Sequence, residues 1–337
     1  VNLATRYLGL SLPHPIMPGA SPLVDDLDTV KRLADAGAAA IVMHSLFEEQ
    51  LAGDALASQR HHEENAHSHP EAASYFPESA LFALGPDAYL EQIRKIKEAV
   101  RLPVIGSLNG STPGGWLDYA RLIEQAGAAA LELNLYVVPV DPGESGAALE
   151  ARELEIVRAV KQSIRIPLAV KLAPFYTSRP NMAKRFAEAG ADGLVVFNRF
   201  HHPDIDAEKL EARPALHLST SDELPARLGA LALLAGRVQA DLAVTGGVHS
   251  GLDAAKAVMA GAHAVQTVSA LLAYGPKNLT NLVSDLRTVL EEHGYDSLEQ
   301  ARGCMSFDRC PDPSVYQRAN YLRTLHGWQA NPRLFKL

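Results

Sequence analysis

The 337 residues carry 31 Lys and Arg against 39 Asp and Glu, a formal charge of −8, with 47% hydrophobic and 21% charged residues. That balance excludes global disorder, supplies a large core, and leaves no basic run able to neutralise a row of phosphates, so nucleic acid is not an expected partner. With two cysteines, no apolar run near the roughly 20 residues that cross a bilayer and no basic-then-apolar start in VNLATRYLGL, a cytoplasmic protein without membrane contact or disulfide framework is expected.

Residues 1–12 alternate through Leu3, Thr5 and Tyr7 into Leu8-Gly9-Leu10, which predicts a hairpin closing one end of the fold. The first buried run is Ile16-Met17-Pro18. A phrase then recurs four times, as Asp35-Ala36-Gly37-Ala38, Gln125-Ala126-Gly127-Ala128, Glu188-Ala189-Gly190-Ala191 and Met259-Ala260-Gly261-Ala262, each followed by a short apolar run. A glycine just past a helix end takes the left-handed conformation that stops the helix, so each phrase marks a helix-to-strand joint. Three more runs follow a proline or turn: Val104-Ile105-Gly106-Ser107, Leu168-Ala169-Val170-Lys171 and Leu242-Ala243-Val244-Thr245. Amphipathic segments at 26–36, 87–100, 115–126, 147–163, 181–189, 224–236 and 251–260 separate the eight runs. This α/β alternation predicts one (βα)8 TIM barrel over residues 1–302 with an N-terminal hairpin. A doubly wound open sheet is the competing arrangement; it usually has fewer strands and opens on a glycine-rich turn, which is missing here.

Two regions stand outside the repeat. The polar, histidine-rich 52–80 stretch after the second strand reads as a lid over a barrel mouth. Its His61-His62-Glu63-Glu64, His67 and His69 are read as solvated, with no metal site expected. Residues 303–337 form a C-terminal helical extension around Ser314–Trp328, whose Tyr321, Leu325 and Trp328 stripe suits packing on the barrel or a homodimer contact. Cys304 and Cys310 read as ordinary thiols.

In this fold chemistry sits where strands run into the following loops. Those ends are polar here: Ala20 and Ser21 after the first strand, His44 and Ser45 after the second, Ser107 and Asn109, Asn134, Lys171, and Asn198 after the sixth. His201-His202 follow the sixth strand and read either as lining the mouth or as a surface loop. Glu132, Asn134 and Tyr136 share one face by the period-2 rule. Lys171 in an apolar run needs a partner, either a bound ligand or Glu132 across the barrel. Thr245-Gly246-Gly247 and Gln266-Thr267-Val268-Ser269 end the seventh and eighth strands, the usual phosphate cradle of the fold.

Through Leu131-Glu132-Leu133-Asn134-Leu135, Val170-Lys171-Leu172-Ala173-Pro174, Val244-Thr245-Gly246-Gly247-Val248 and Gln266-Thr267-Val268-Ser269-Ala270-Leu271, the chain resembles the dihydroorotate dehydrogenases, FMN-containing (βα)8 enzymes of pyrimidine synthesis. The resemblance implies an oxidoreductase acting on CH–CH groups of a small molecule, by hydride transfer to flavin. It implies that Ala20 and Ser21 meet the flavin edge, Asn134 and Asn198 bind flavin or substrate amides, Ser45 and Asn109 join them in holding the cofactor, and Lys171 stands by the pyrimidine end of the ring. Thr245, Gly246, Gly247 and Ser269 would then hold the FMN phosphate. Family members that use quinone carry an N-terminal extension not seen in this sequence, so a soluble acceptor is expected.

The chain also departs from the family. Where relatives carry a cysteine or serine base, it reads Tyr136-Val137-Val138-Pro139, and valine takes no proton. His44 replaces the second-strand lysine, Val268 replaces a glycine, and Leu218-Ser219-Thr220-Ser221 replaces a glycine-rich loop, with Thr220 and Glu223 spaced as a capping box. Replacement bases within reach are His44, Tyr136, Ser111 and Thr112. Two other functions remain: a flavin-free lyase or isomerase using Lys171 as a Schiff-base amine, and a catalytically silent FMN-binding protein.

Overall fold

In the computed structural model, which describes residues 1–50, 85–110, 114, 117–199, 202–215 and 217–328, the short apolar runs become strands and the alanine-rich segments helices. The strands are β1 Thr5–Tyr7, β2 Leu10–Leu12, β3 Ile16–Pro18, β4 Ile41–Val42, β5 Leu46–Phe47, β6 Val104–Asn109, β7 Ala130–Asn134, β8 Leu168–Lys171, β9 Gly193–Val196, β10 His202–Asp206, β11 Glu211–Ala215, β12 Asp241–Thr245 and β13 Ala264–Thr267. The helices are α1 Leu27–Asp35, α2 Pro86–Ala99, α3 Leu117–Gln125, α4 Gly146–Ser163, α5 Arg179–Glu188, α6 Leu224–Leu234, α7 Gly251–Ala260, α8 Ser269–Tyr274, α9 Asn278–Glu292, α10 Leu298–Ala301 and α11 Asn320–Trp328.

Parallel pairing runs β3-β13-β12-β9-β8-β7-β6-β4. The seam between β3 and β4 is spanned by the Ala39 amide, which donates to the Ile16 carbonyl at 3.1 Å, so the sheet nearly closes into the predicted (βα)8 barrel. At the four joints Gly37, Gly127, Gly190 and Gly261 have φ of +91°, +101°, +109° and +126°, which a side chain would resist.

Leu33, Ile93, Val157, Phe186, Leu231 and Leu286 are buried between the sheet and its helices. Inside the barrel a separate layer holds Tyr7, Leu8 and Leu12 of the β1–β2 hairpin against Ala39, Ala40, Ala130, Ala169, Ala243 and Ala264. Small residues there leave room for the inserted tyrosine and leucine. A Cβ at Gly193 would come 2.6 Å from Leu8 Cδ2, and Leu8 N donates to Asp241 Oδ2 at 2.8 Å, pinning the hairpin as the barrel floor.

Two details differ from the sequence-based expectation. An antiparallel β10–β11 hairpin follows β9, its Ile205 and Leu210 exposed. Thr220 opens a single 3-10 turn, Ser221–Glu223, without a side-chain cap, because Glu223 turns to Arg227 at 3.6 Å and Ser221 donates to Asp253 at 2.7 Å. The expected C-terminal helix forms as α11, after a 3-10 turn at Pro313–Tyr316, with Tyr321 and Leu325 64% and 49% exposed. Among the described residues no helix is long and apolar enough to cross a membrane. The 52–80 stretch with its histidines, and Ser111, Thr112 and His201, lie outside the described residues.

Candidate functional site

Alternation along β7 turns Glu132 and Asn134 into the barrel, where they are 1% and 2% exposed. Glu132 is held from two sides. Lys171 Nζ, at the end of β8, donates to Oε1 at 3.1 Å, and Gln266 Nε2, on β13, donates to Oε2 at 2.6 Å. A buried carboxylate persists as an ion only with its oxygens engaged this way. Of the two partners expected for Lys171, Glu132 is in contact, and the lysine also lines the cavity described below.

Asn134 gathers a second knot. Its Nδ2 donates to Ser45 Oγ at 2.8 Å and Ser107 Oγ at 2.9 Å, and the two hydroxyls are 2.9 Å apart. Tyr89 of α2 fixes this strand end from outside, its hydroxyl donating to the Ser107 carbonyl at 3.0 Å and accepting from the Ser107 amide at 2.9 Å. Burial drives the Tyr89 pKa up and keeps the phenol neutral.

The third group forms where β12 and β13 end. Gly246 and Gly247 have φ of +84° and +78°. A Cβ at Gly246 would lie 2.7 Å from Arg227 Nη2, and one at Gly247 2.6 Å from the Leu224 nitrogen, so the turn admits only glycine. Arg227, buried on α6, donates through Nε to the Thr245 carbonyl at 2.6 Å and through Nη1 to the Glu223 carbonyl at 2.7 Å. Ser219 stitches the loops: Gly247 N donates to its Oγ at 3.2 Å, and its own N and Oγ donate to Ser269 Oγ at 3.0 and 2.9 Å. Ala20, Lys171, Thr245, Gly246, Gly247 and Ser269 line one cavity of 130 Å³. Beside Ala20, the buried Ser21 hydroxyl has no hydrogen-bond partner among the described residues.

The remaining expected residues are placed differently. Asn198 donates to the Lys171 carbonyl at 3.2 Å and so buttresses the strand that carries the lysine. Asn109 and Tyr136 are half-buried at the ends of β6 and β7, outside the lining of the 130 Å³ cavity. His44 Nδ1 lies 2.6 Å from Asp25 Oδ1 and its ring meets Tyr89 edge-on at 4.9 Å, which ties it to the turn after β3. Behind the site, Glu153 of α4 is 6% exposed and accepts from the Tyr176 hydroxyl at 2.8 Å; burial raises its pKa to about 7.

Arg227, Ser219 and Gln266 were not among the expected site residues. The signal for Arg227 was available, since it is the one charge in the otherwise apolar Leu224-Pro225-Ala226-Arg227-Leu228-Gly229-Ala230-Leu231 run.

A family model described as dihydroorotate dehydrogenase matches residues 2–290. The chain is 35% identical over 217 residues to a protein described as a dihydroorotate dehydrogenase A (fumarate) from Aeropyrum pernix, covering 61% of this chain and 68% of the relative. It is 27% identical over 320 residues to the dihydroorotate dehydrogenase B (NAD(+)) catalytic subunit of Thermoplasma acidophilum, covering 90% and 98%. Against the corresponding catalytic subunit of Geobacter sp. the identity is 32% over 234 residues, covering 66% and 74%.

Proposed function

Because the chain belongs to the dihydroorotate dehydrogenase family of FMN-dependent (βα)8 oxidoreductases, we propose that it binds FMN at the mouth cavity and oxidises a CH–CH bond of a small cyclic or carboxylated substrate. The observation that carries this reading is the meeting of Lys171, from the fifth barrel strand, with the Gly246-Gly247 turn of the seventh around one cavity. Two further features fit the cofactor: a turn in which a Cβ has no space, as close backbone approach to a phosphate needs, and an orphaned Ser21 hydroxyl. Thr245, Gly246, Gly247 and Ser269 would hold the phosphate, Ala20 and Ser21 the ring edge, and Asn134, Asn198, Ser45 and Asn109 the ring or substrate amides.

When bound, FMN supplies the hydride acceptor. The chain supplies charge and shape. Lys171 is ion-paired with Glu132 at 3.1 Å and lines the cavity, which places a cationic side chain at its wall beside an electron-rich ligand.

Dihydroorotate is the default substrate from the family, but Val137 and Val138 stand where relatives have a base. The reading is tested by purifying the protein, identifying its flavin by mass and by absorbance at about 450 nm, and titrating it anaerobically with a panel of cyclic and carboxylated donors. Bleaching by one donor supports the oxidoreductase. A folded protein that stays colourless with added FMN removes the cofactor, and a yellow protein that no donor bleaches leaves the silent FMN-binding reading.

A further inference from the structure

A second cavity, of 800 Å³, opens between the loop after β8, the end of β9 and the start of α6. Three arginines line it, Arg179, Arg199 and Arg227, against one carboxylate, Glu223. Glu223 sits 3.6 Å from Arg227, and among the described residues neither Arg179 nor Arg199 has a carboxylate within 4.0 Å. The lining therefore carries an excess of two positive charges, the complement of a phosphate monoester dianion. Guanidinium forks match phosphate oxygens in pairs.

Helix ends add to the same field. α5 starts at Arg179 behind Ser178, and α6 at Leu224 behind Glu223, and neither preceding side chain caps a first-turn amide. Both helix starts lie at this wall, and their positive dipole ends add to its field. Phe175, Tyr176 and Phe197 add aromatic surface to the wall. Phe175 is 68% exposed, and Phe197 lies under Arg179 at 5.8 Å. Phe197, Arg199 and Arg227 also line the 130 Å³ cavity, so the two spaces adjoin.

We propose that the 800 Å³ cavity is a second binding site, adjoining the 130 Å³ cavity, for a phosphorylated small molecule, with the phosphate on Arg179, which lines this cavity alone, beside the shared Arg199, and a planar ring against Phe175. Its size lies within the roughly 300–1,000 Å³ of small-molecule sites. The inference goes beyond the flavin reading and does not need a flavin to be present.

The test is calorimetric titration of the full chain, as purified with any flavin it holds, using AMP, ribose 5-phosphate and adenosine as probes. One phosphate-dependent site per chain is expected, with adenosine silent. Arg179→Gln should weaken both phosphates about tenfold or more, the loss of one charge-assisted contact, and Arg179→Lys should recover part of that. The flavin absorbance of Arg179→Gln should be unchanged, because Arg179 does not line the 130 Å³ cavity. Phe175→Ala should weaken AMP and spare ribose 5-phosphate; equal loss or no loss removes the ring from Phe175. Absence of phosphate-dependent heat at millimolar probe, full AMP affinity in Arg179→Gln, or release of flavin by AMP would overturn the site. Arg179-dependent AMP binding by a protein that takes up no FMN would refute the cofactor assignment and leave this site standing.

Discussion

Replacing Glu153 by Gln should make the protein more stable at pH 8 and leave it nearly unchanged at pH 4.5. Glu153 is 6% exposed, and its burial raises the pKa to about 7 from an ordinary 4.5. A carboxyl whose folded-state pKa is raised holds its proton more tightly folded than unfolded, so its cost to stability appears as pH rises through 4.5 and is complete above about 7. A difference of about 2.5 units at about 1.4 kcal/mol each gives a penalty of roughly 3 kcal/mol at pH 8. Glutamine keeps an oxygen to accept from the Tyr176 hydroxyl, now 2.8 Å from Glu153 Oε2, so the contact survives while the charge goes. For a chain of this size the gain corresponds to a rise in Tm of roughly 4 °C. Thermal unfolding of both proteins across pH 4.5–8 is the assay. A stability difference that does not change with pH would refute the argument, because only the titration of this carboxyl makes it pH-dependent.

Gly246→Val puts a branched side chain where even a Cβ meets Arg227 Nη2 at 2.7 Å, at a φ of +84°, and should give a folded protein that has lost its flavin; full flavin content at about 450 nm would sink the phosphate assignment. Lys171→Ala should retain bound FMN through the phosphate turn but lower its reduction potential, since the cation at the cavity wall is gone, and an unchanged potential in dye-equilibration titrations would place the lysine's charge elsewhere. The same variant strands Glu132 and should lose about 3–5 kcal/mol in urea unfolding, most of it recovered in Lys171→Ala with Glu132→Gln. Dihydroorotate should reduce the wild-type flavin slowly or not at all, for want of a base worth about 10²–10⁴-fold, and Val137→Cys should raise the rate; fast, saturable wild-type reduction by stopped flow would send the search to His44 and Tyr136.

What could be read from the chain was whatever is written locally. The helix-ending glycines and buried runs need only a few consecutive residues, and so α7 coincides with the segment 251–260, four barrel strands follow the four joints and the other four fall on the buried runs. Glu132 and Lys171 were candidate partners because period-2 alternation and burial cost follow from sequence alone. Pairings set by distant neighbours were not legible. The β10–β11 hairpin is exposed and carries Pro203 and Pro214, so it lacks the apolar alternation that announces a strand. Thr220 and Glu223 have capping-box spacing, but Arg227 recruits the glutamate and the box does not form. The lone charge of Arg227 in its apolar run was legible, but its partner was not, because the Thr245 carbonyl it reaches lies 18 residues away on another element.

The plug formed by Tyr7, Leu8 and Leu12 makes the barrel a blind well. Among the described residues the inserted tyrosine and the apolar layer around it fill the hairpin side, which leaves the strand-end side, past Lys171, as the approach to the Glu132 carboxylate. A molecule resting on the lysine therefore corks the well. Exchange of the Gln266 and Lys171 side-chain hydrogens with solvent should slow when that molecule is present, while the surface amides of the β1–β2 hairpin, on the stoppered side, exchange at their former rate.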